Sequence, residues 1–291
     1  MNKHYQIRTD FADEAEGCTL KHDTFTHEKT THGNIQSSYI KVLQKENALG
    51  KEIGDYVSVQ FSELYDHEER EDIIKEVLEQ LQKMLRSMKL KVKKVLVVGL
   101  GNRFITSDAL GPEVADDILV TSHYYANEDK KMLKGTRNVA VIQPGVMGQT
   151  GLESFSIVKS VCQEFQPDLI IAVDALATRS ISRINRVIQI NNTGIQPGSG
   201  VGNHRSALTK ESLNVPVIAV GVATVTSIGA ILSDLLSASE QDHEALLDEL
   251  SNRQQLDLVV TPKSMDDELK QLVYLVSESI NRFIHPQYLR L

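Results

Sequence analysis

The central part of the chain alternates short apolar runs with stretches in which apolar residues recur at helical spacing. The runs that we assign to strands are VLVVG at 95–99, VAVIQ at 139–143, DLIIAVD at 168–174, VIQI at 187–190 and PVIAVGV at 216–222. Helical patterns separate them, as at 110–120 and 151–164. Strands that are apolar on both faces and joined by helices are typical of parallel sheets buried between helices. The sequence therefore predicts an α/β fold with a mostly parallel central sheet between helices.

The segments around this core are assigned from the same periodicities. VIQI follows DLIIAVD too closely for a helical crossover, so we expect it to pair antiparallel. Apolar residues at helical spacing predict long amphipathic helices over 67–90 and 264–284. Residues up to about 56 are polar and weakly periodic, which indicates an irregular N-terminal arm, with VSVQF at 57–61 as a first strand. We expect one α/β domain with these appendages.

Charge and cysteine content exclude several classes of protein. The formal net charge of -8 leaves no basic surplus for binding phosphates, so we expect no direct nucleic-acid partner. Cys18 and Cys162 lie far apart and outside any CxxC pair, which indicates neither a disulfide framework nor a structural zinc site. No segment approaches the roughly 18 uncharged apolar residues of a membrane span. We expect a cytoplasmic protein without a membrane partner.

Two aspartates follow predicted strands, where an open α/β sheet binds its ligands. Asp174 ends an apolar run, where a charge is costly unless hydrogen bonds, a partner or a function compensates it, and both a structural and a catalytic role fit. Asp108 precedes a helix that begins near Leu110, so it is a candidate N-cap as well as a catalytic candidate. If both face one crevice, they could share a proton, with one as general base on water and the other polarising a carbonyl.

The glycine-rich loops give weaker indications. GLGN follows a strand, but Phe104 stands where a dinucleotide-binding fingerprint requires its third glycine, so no nucleotide cofactor is indicated. The run GSGVGN at 198–203 lacks the Gly-Lys-Ser/Thr of a P-loop. Its backbone could bind a substrate or an oxyanion, or it could be an ordinary turn. The candidates here are Gly198, Gly200, Gly202 and the following His204, which could orient a carboxylate or be a solvated loop residue.

Four longer blocks, in order along residues 94–222, resemble the spore germination proteases. They are GLGNRFITSDALGP, QPGVMGQTGLE, DLIIAVDALATRS and NTGIQPGSGVGN. The resemblance implies a self-processing, tetrameric endopeptidase of the spore core that degrades small acid-soluble spore proteins during germination. It further implies a fold related to the hydrogenase maturation proteases and an unusual aspartic-type mechanism without a cofactor. The two catalytic aspartates of the family correspond to Asp108 in SDALGP and Asp174 in VDALA.

A separate likeness lies near the N-terminus. RTDFADEA at 8–15 resembles the self-cleavage site of the same family. This resemblance implies that residues 1–10 are a propeptide, cut between Asp10 and Phe11 from a peptidase domain of residues 11–291. A tethered substrate-like segment has a high effective concentration at its own active site, which suits self-processing. The alternative is a frayed terminus. Residues 223–256 are shorter than is usual in the family.

Two other functions remain open from the sequence. The first is a metal-dependent protease like the hydrogenase maturation enzymes, with Asp108 and Asp174 as ligands and His204 as a third. The second is a non-catalytic α/β module whose glycine loops hold a small anion. Sensitivity to a chelator separates the first from an aspartate pair, and failure to cut RTDFADEA-like peptides indicates the second.

Overall fold

The computed structural model describes residues 9–15, 23–126, 133–196, 206–236 and 258–287. These residues form one mixed sheet. Its strands are β1 (Phe25–His32), β2 (Ile35–Val42), β3 (Gly54–Gln60), β4 (Lys94–Gly99), β5 (Asn138–Ile142), β6 (Leu169–Thr178), β7 (Val187–Asn191), β8 (Val217–Ser227) and β9 (Val259–Val260).

The strand order is β1-β2-β3-β7-β8-β6-β4-β5, with β9 beside β8. The pairs β5-β4, β4-β6 and β6-β8 are parallel, whereas the pairs from β8 through β7 to β1 are antiparallel. The α/β class is confirmed, as are the antiparallel pairing of VIQI and a strand at VSVQF. The parallel half that the sequence predicts is extended by an antiparallel half.

That antiparallel half corrects the prediction for the N-terminal arm. The segment expected to be irregular contains β1 and β2, which pair with each other along their whole length. Its weak periodicity has a physical reason, because buried positions of β2 carry polar residues that find distant partners. The Ser37 hydroxyl donates to the Glu76 carboxylate, and Ser38 bonds to His27 across the hairpin. A polar residue that is satisfied in this way can be buried without an apolar pattern.

Helices cover both faces of the sheet. They are α1 (His67–Ser87), α2 (Leu110–Asp116), α3 (Ser122–Ala126), α4 (Met147–Thr150), α5 (Ser154–Phe165), α6 (Lys210–Leu213), α7 (Ile228–Leu236) and α8 (Met265–Ile284). Helices α1, α2 and α8 contribute to the larger core on one face, which includes Val97, Ile171 and Val220 from the sheet. Helix α5 packs on the opposite face against residues such as Leu96 and Ile170.

The long helix α1 shows how local sequence sets these elements. Its N-cap is Asp66, whose carboxylate accepts a hydrogen bond from the Glu69 amide at 2.8 Å. Its apolar residues from Ile73 to Met84 are buried against β3 and α8. The chain leaves the helix through Lys89, whose φ of 54° is left-handed. None of the described helices is long and apolar enough to cross a bilayer.

The second face contains Cys162. This residue lies on α5 beside Val158 in the smaller core, where burial raises the pKa of its thiol to about 11. Such a thiol fills space rather than acting as a nucleophile. Cys18 falls outside the described residues.

Candidate active site

Asp174 lies inside a strand rather than at its end. The run predicted to stop at residue 174 continues as β6 to Thr178, because β8 pairs with it that far through an irregularity at Leu176/Ala177. Since side chains alternate along a strand, Asp174 shares the face of Ile170 and Ala172, which belong to the α5 side. The residue is 5% exposed, and its carboxylate accepts a hydrogen bond from the Ala175 amide at 3.0 Å.

Asp108 closes the loop that follows β4. It is the last residue of a 3₁₀ turn (Thr106–Asp108), and its carboxylate accepts a hydrogen bond from the Asn102 amide at 2.9 Å. The N-cap position of α2 is Ala109, so the alternative assignment of Asp108 as the cap of this helix is wrong. Gly101 lies tightly against Asp108, because a Cβ on this glycine would be 2.1 Å from the Asp108 carbonyl oxygen.

The loop that carries Asp108 is fixed to the strand that carries Asp174. The Leu100 amide donates to the Val173 carbonyl at 2.8 Å, and the Thr224 hydroxyl of β8 donates to the Ser107 carbonyl at 2.7 Å. Strand β4 ends at Gly99, which is in register with Val173, so Asp174 is one residue beyond the end of β4. Asp108 therefore lies in the loop that follows β4, and Asp174 lies within the neighbouring parallel strand β6, just beyond the level at which β4 ends.

The N-terminal segment of residues 9–14 crosses the sheet on the same face as Asp174. At one end the segment is hydrogen-bonded to β6. The Asp10 amide donates to the Ala177 carbonyl at 3.0 Å, and the Ala177 amide donates to the Asp10 carboxylate at 2.8 Å. At the other end the Ser58 hydroxyl of β3 donates to the Asp13 carboxylate at 3.1 Å. Residues 9–14 are therefore docked on the sheet.

Phe11 anchors the segment. Its side chain is fully buried in a pocket formed by Leu176, Val187 and Ala223. Burying a Phe side chain contributes roughly 1.5–3 kcal/mol. The Arg183 guanidinium lies 4.8 Å from the centre of the Phe11 ring, a cation–π arrangement.

Polar groups hold the backbone on both sides of Phe11. The side-chain amide of Gln189 on β7 donates through Nε2 to the Asp10 carbonyl and accepts through Oε1 from the Ala12 amide, both at 3.0 Å. Lys51 Nζ also donates to the Asp10 carbonyl at 3.0 Å. The Asp10 carbonyl belongs to the Asp10–Phe11 peptide bond, which the resemblance identifies as the self-cleavage site. Gln189 and Lys51 therefore both donate hydrogen bonds to the peptide group that would be cut.

The acidic end of the segment is bound by Arg183. Its guanidinium pairs with Asp13 at 3.0 and 3.1 Å and with Glu14 at 3.0 Å, in a setting where all three side chains are largely buried. Glu14 also accepts hydrogen bonds from the Thr178 hydroxyl and, at 2.7 Å, from the Arg179 amide. The acidic side chains that follow Phe11 are therefore bound by specific hydrogen-bond donors.

An open cleft of about 930 Å³ borders the docked segment. Asp10, Lys51, Leu176 and Gln189 line it, together with the backbone of Gly221 on β8. Gly221 is in register with Asp174 on one side and with Gln189 on the other. Asp174 and Gln189 thus lie in one row across the sheet, separated by a residue without a side chain, over which Leu176 packs.

The glycine-loop candidates Gly198, Gly200, Gly202 and His204 lie outside the described residues. The described ends of their loop meet at Ile195 and Leu208, which exchange backbone hydrogen bonds of 3.0 and 2.8 Å. Ile195 also packs beside the Phe11 pocket. Among the described residues, no group of three or more His, Cys, Asp or Glu side chains could hold a metal ion.

Sequence reasoning missed Lys51, Gln189 and Arg183. Gln189 gave the clearest signal, since it is the polar residue of the apolar run VIQI and is 3% exposed in the structure. A buried amide on a strand requires hydrogen-bond partners, which makes it a candidate for binding backbone groups. Lys51 and Arg183 lie in loops without a distinguishing pattern.

The contacts of Arg183 predict how docking responds to its loss. In an Arg183→Met chain we expect residues 9–14 to leave the sheet about 100-fold more readily, because Asp13 and Glu14 lose their buried partner and regain water by undocking. Losing one partner of a buried ion pair costs on the order of 3 kcal/mol, which is about 100-fold. Hydrogen exchange of the Ala12 and Ala177 amides measures this opening.

The matched control for this experiment is Arg186→Met. Arg186 has similar chemistry but pairs with Glu268 of α8 at 3.1 Å. We expect this variant to leave the exchange of the Ala12 and Ala177 amides unchanged. Equal protection of those amides in the Arg183→Met chain and in the wild type would contradict a role for Arg183 in docking.

Comparisons with known proteins show the family to which the chain belongs. A family model described as germination protease matches residues 3–239. A germination protease of Caldanaerobacter subterraneus subsp. tengcongensis is 36% identical over 308 aligned positions, which cover 96% of this chain and 94% of that protein. Those of Clostridium tetani and Oceanobacillus iheyensis are 37% and 40% identical, over 87% and 80% of this chain and 86% and 67% of their own lengths. The family match includes both aspartates and residues 9–14.

Proposed function

Because the chain belongs to the germination protease family, we propose that it is an endopeptidase made as a zymogen, which cuts its own Asp10–Phe11 bond and then initiates the degradation of small acid-soluble spore proteins during germination. The observation that carries this proposal is the docking of residues 9–14 across the sheet, on the face of Asp174. A segment held on both sides of one peptide bond resembles a substrate in its site.

The proposed chemistry is hydrolysis by an aspartate pair. One aspartate of the pair, Asp108 or Asp174, begins ionised and the other begins protonated. The ionised aspartate takes a proton from water as the water oxygen adds to the carbonyl carbon of Asp10, and the carbonyl oxygen takes up the electron pair of the C=O bond. When the intermediate collapses, the C–N bond breaks and the Phe11 nitrogen takes a proton from the other, protonated aspartate. Asp10 gains a carboxyl group and Phe11 an amine, so one water is consumed and the pair again holds one proton.

The docked segment also supports the zymogen part of the proposal. Before cleavage it occupies the face on which another substrate would bind. After cleavage the Phe11 amide becomes an ammonium group in a fully buried position. An unpaired buried charge is costly, so residues 11–14 should leave and open the cleft. Substrates with an acidic–Phe–Ala–acidic pattern could then occupy the same contacts.

The place of action and the assembly are part of the same proposal. The substrates implied by the resemblance coat spore DNA, so we place the activity in the spore core. We propose a homotetramer on the same ground. Static light scattering of the purified full chain measures the assembly, and a monomer at working concentration would contradict it.

The function is tested by the intact mass of the purified full chain during incubation in mildly acidic buffer, with and without chelator. We expect loss of residues 1–10 at a rate independent of chelator and of protein concentration. Loss blocked by chelator would instead indicate the metal-dependent protease. A stable mass, together with no cleavage of an RTDFADEA peptide, would contradict protease function and favour the anion-binding module.

A further inference from the structure

We propose that Lys51 and Gln189 are catalytic residues for cleavage of the Asp10–Phe11 bond, because their side-chain N–H groups bind the carbonyl oxygen on which negative charge develops. This inference rests on the proposed function and names the groups that stabilise its transition state. It assigns to two side chains a role for which the sequence offered only the backbone of the glycine-rich loop at 198–203.

The distances are those of an oxyanion site. Lys51 Nζ and Gln189 Nε2 each lie 3.0 Å from the Asp10 carbonyl oxygen. Donors at about 2.7–3.1 Å from the reacting oxygen, fixed before the reaction, stabilise the charge of a tetrahedral intermediate. The Asp10 carbonyl oxygen thus accepts from two converging side-chain donors, one of them cationic.

Gln189 is held in the orientation that this role requires. Its neighbours Ile188 and Ile190 are fully buried, which fixes the strand that carries it. Its Oε1 accepts from the Ala12 amide at 3.0 Å, so the opposite side of the amide group presents Nε2 to Asp10. Reversing the amide would place two acceptors against each other at Asp10 and two donors at Ala12.

Lys51 is positioned by a turn built around Asn47. The Asn47 side chain donates to the Lys51 carbonyl at 2.8 Å and accepts from the Leu49 amide at 3.1 Å. Gly50, with a φ of 61°, supplies the left-handed residue of the turn. The ammonium group also donates to the Thr9 carbonyl at 3.4 Å. The turn thus holds Lys51 where its ammonium group contacts the Asp10–Phe11 peptide group.

The charges around Lys51 suit the same role. Burial lowers the pKa of its ammonium group, and the carboxylates of Asp10, Glu14 and Asp13 oppose that shift. A partly buried cation interacts with a developing oxyanion more strongly than it would in bulk solvent. In the cleavage step neither residue gains or loses a covalent bond. Lys51 and Gln189 keep their protons and strengthen two existing hydrogen bonds as the carbonyl oxygen becomes negative.

The experiment uses the full chain and two variants, Gln189→Glu and Lys51→Met. Glutamate has nearly the shape of glutamine and still accepts from the Ala12 amide, but it places an acceptor against the Asp10 carbonyl. Methionine replaces the lysine stem without its donor. We expect each variant to lower the first-order rate of loss of residues 1–10 by about 100- to 1,000-fold, the typical effect of removing one oxyanion donor.

Docking is measured separately, so that a structural role can be recognised. Hydrogen exchange of the Ala177 amide, which donates to the Asp10 carboxylate at 2.8 Å, reports whether the segment stays in place in each uncut variant. Both variants also remove contacts with the segment, so we expect this protection to fall, but by a smaller factor than the rate of loss of residues 1–10. Lys51→Arg keeps a cationic donor and should restore part of the rate. Lys45→Met removes an exposed lysine from the wall of the same cleft and should leave the rate unchanged.

The outcomes separate this inference from the function on which it rests. A wild-type chain that stays uncut overturns both. A wild type that cleaves itself, beside variants that cleave within threefold of it, overturns only the role of Lys51 and Gln189. The same holds if the loss of rate equals the loss of Ala177 protection, because the two residues would then act by docking alone.

Discussion

Replacing Asp174 by asparagine should slow the removal of residues 1–10 by on the order of 1,000-fold, because asparagine cannot carry the proton that the proposed mechanism transfers. The substitution changes shape very little. Its side-chain oxygen can still accept the 3.0 Å hydrogen bond from the Ala175 amide. The rate is measured as intact mass over time, beside the thermal unfolding midpoint, which should stay within a few degrees of the wild type.

The same loss is expected for Asp108→Asn, and the double variant should lose little more than either single one. Residues that act as one unit are not additive, since removing either member already disables the proton transfer. Asp116→Asn is the control, because Asp116 lies on the helix that follows Asp108 but pairs on the surface with Arg103 at 2.8 Å. Cleavage of the Asp174→Asn chain within tenfold of the wild-type rate would remove Asp174 from the chemistry.

The sequence predicts some strands and not others, and the difference lies in the contacts that bury each strand. Strands β4, β6 and β8 could be predicted because apolar residues on both of their faces reflect burial by helices, and the edge strand β5 because its run is apolar although only Val139 in it is buried. Strands β1 and β2 could not, because many exposed residues on β1 and the buried serines of β2 give no period. The pairing itself is local, but the burial of Ser37 depends on Glu76 of α1, which is 39 residues away, so its polar position on the buried face depends on tertiary structure rather than on a local pattern.

The candidate site shows a similar division. Asp108 and Asp174 could be selected because each stands out in its own segment, one in a loop before a helix and one among apolar residues. That the loop of Asp108 lies beside the strand of Asp174 follows from the parallel pairing of β4 and β6, which the α/β pattern implies in outline. The continuation of β6 past Asp174 could not be predicted, because an aspartate in a run of apolar residues resembles a strand end.

The residues that hold the segment 9–14 could not be predicted from the sequence, for a different reason. Gln189, Lys51 and Arg183 come from β7, the turn before β3 and the turn before β7. They converge only because β7 lies between β3 and β8, an order that sequence patterns do not specify. The peptide that they bind was recognised from its likeness to a cleavage site, whereas its binding groups were visible only in three dimensions.

Replacing Gly101 by alanine should destabilise the chain by about 4 kcal/mol. The φ of this residue is 114°, which L side chains rarely adopt, and a Cβ would lie 2.1 Å from the Asp108 carbonyl oxygen. Backbone strain and steric overlap each cost roughly 1–3 kcal/mol, and here the overlapping atom belongs to the backbone and cannot swing away. Urea unfolding measures the loss as a shift in midpoint at constant slope.

The control is Gly33→Ala, at a φ of 58° in the turn between β1 and β2, where nothing lies within 4 Å of the added methyl group. It carries the strain of a left-handed residue without the overlap, so we expect a loss of only about 1 kcal/mol. Equal losses in the two variants would contradict close packing of Gly101 against Asp108. Because the overlap can be relieved only by moving the 3₁₀ turn, any folded Gly101→Ala chain should also cleave itself at least tenfold more slowly, since displacing a catalytic group by about 1 Å can cost 100-fold in rate.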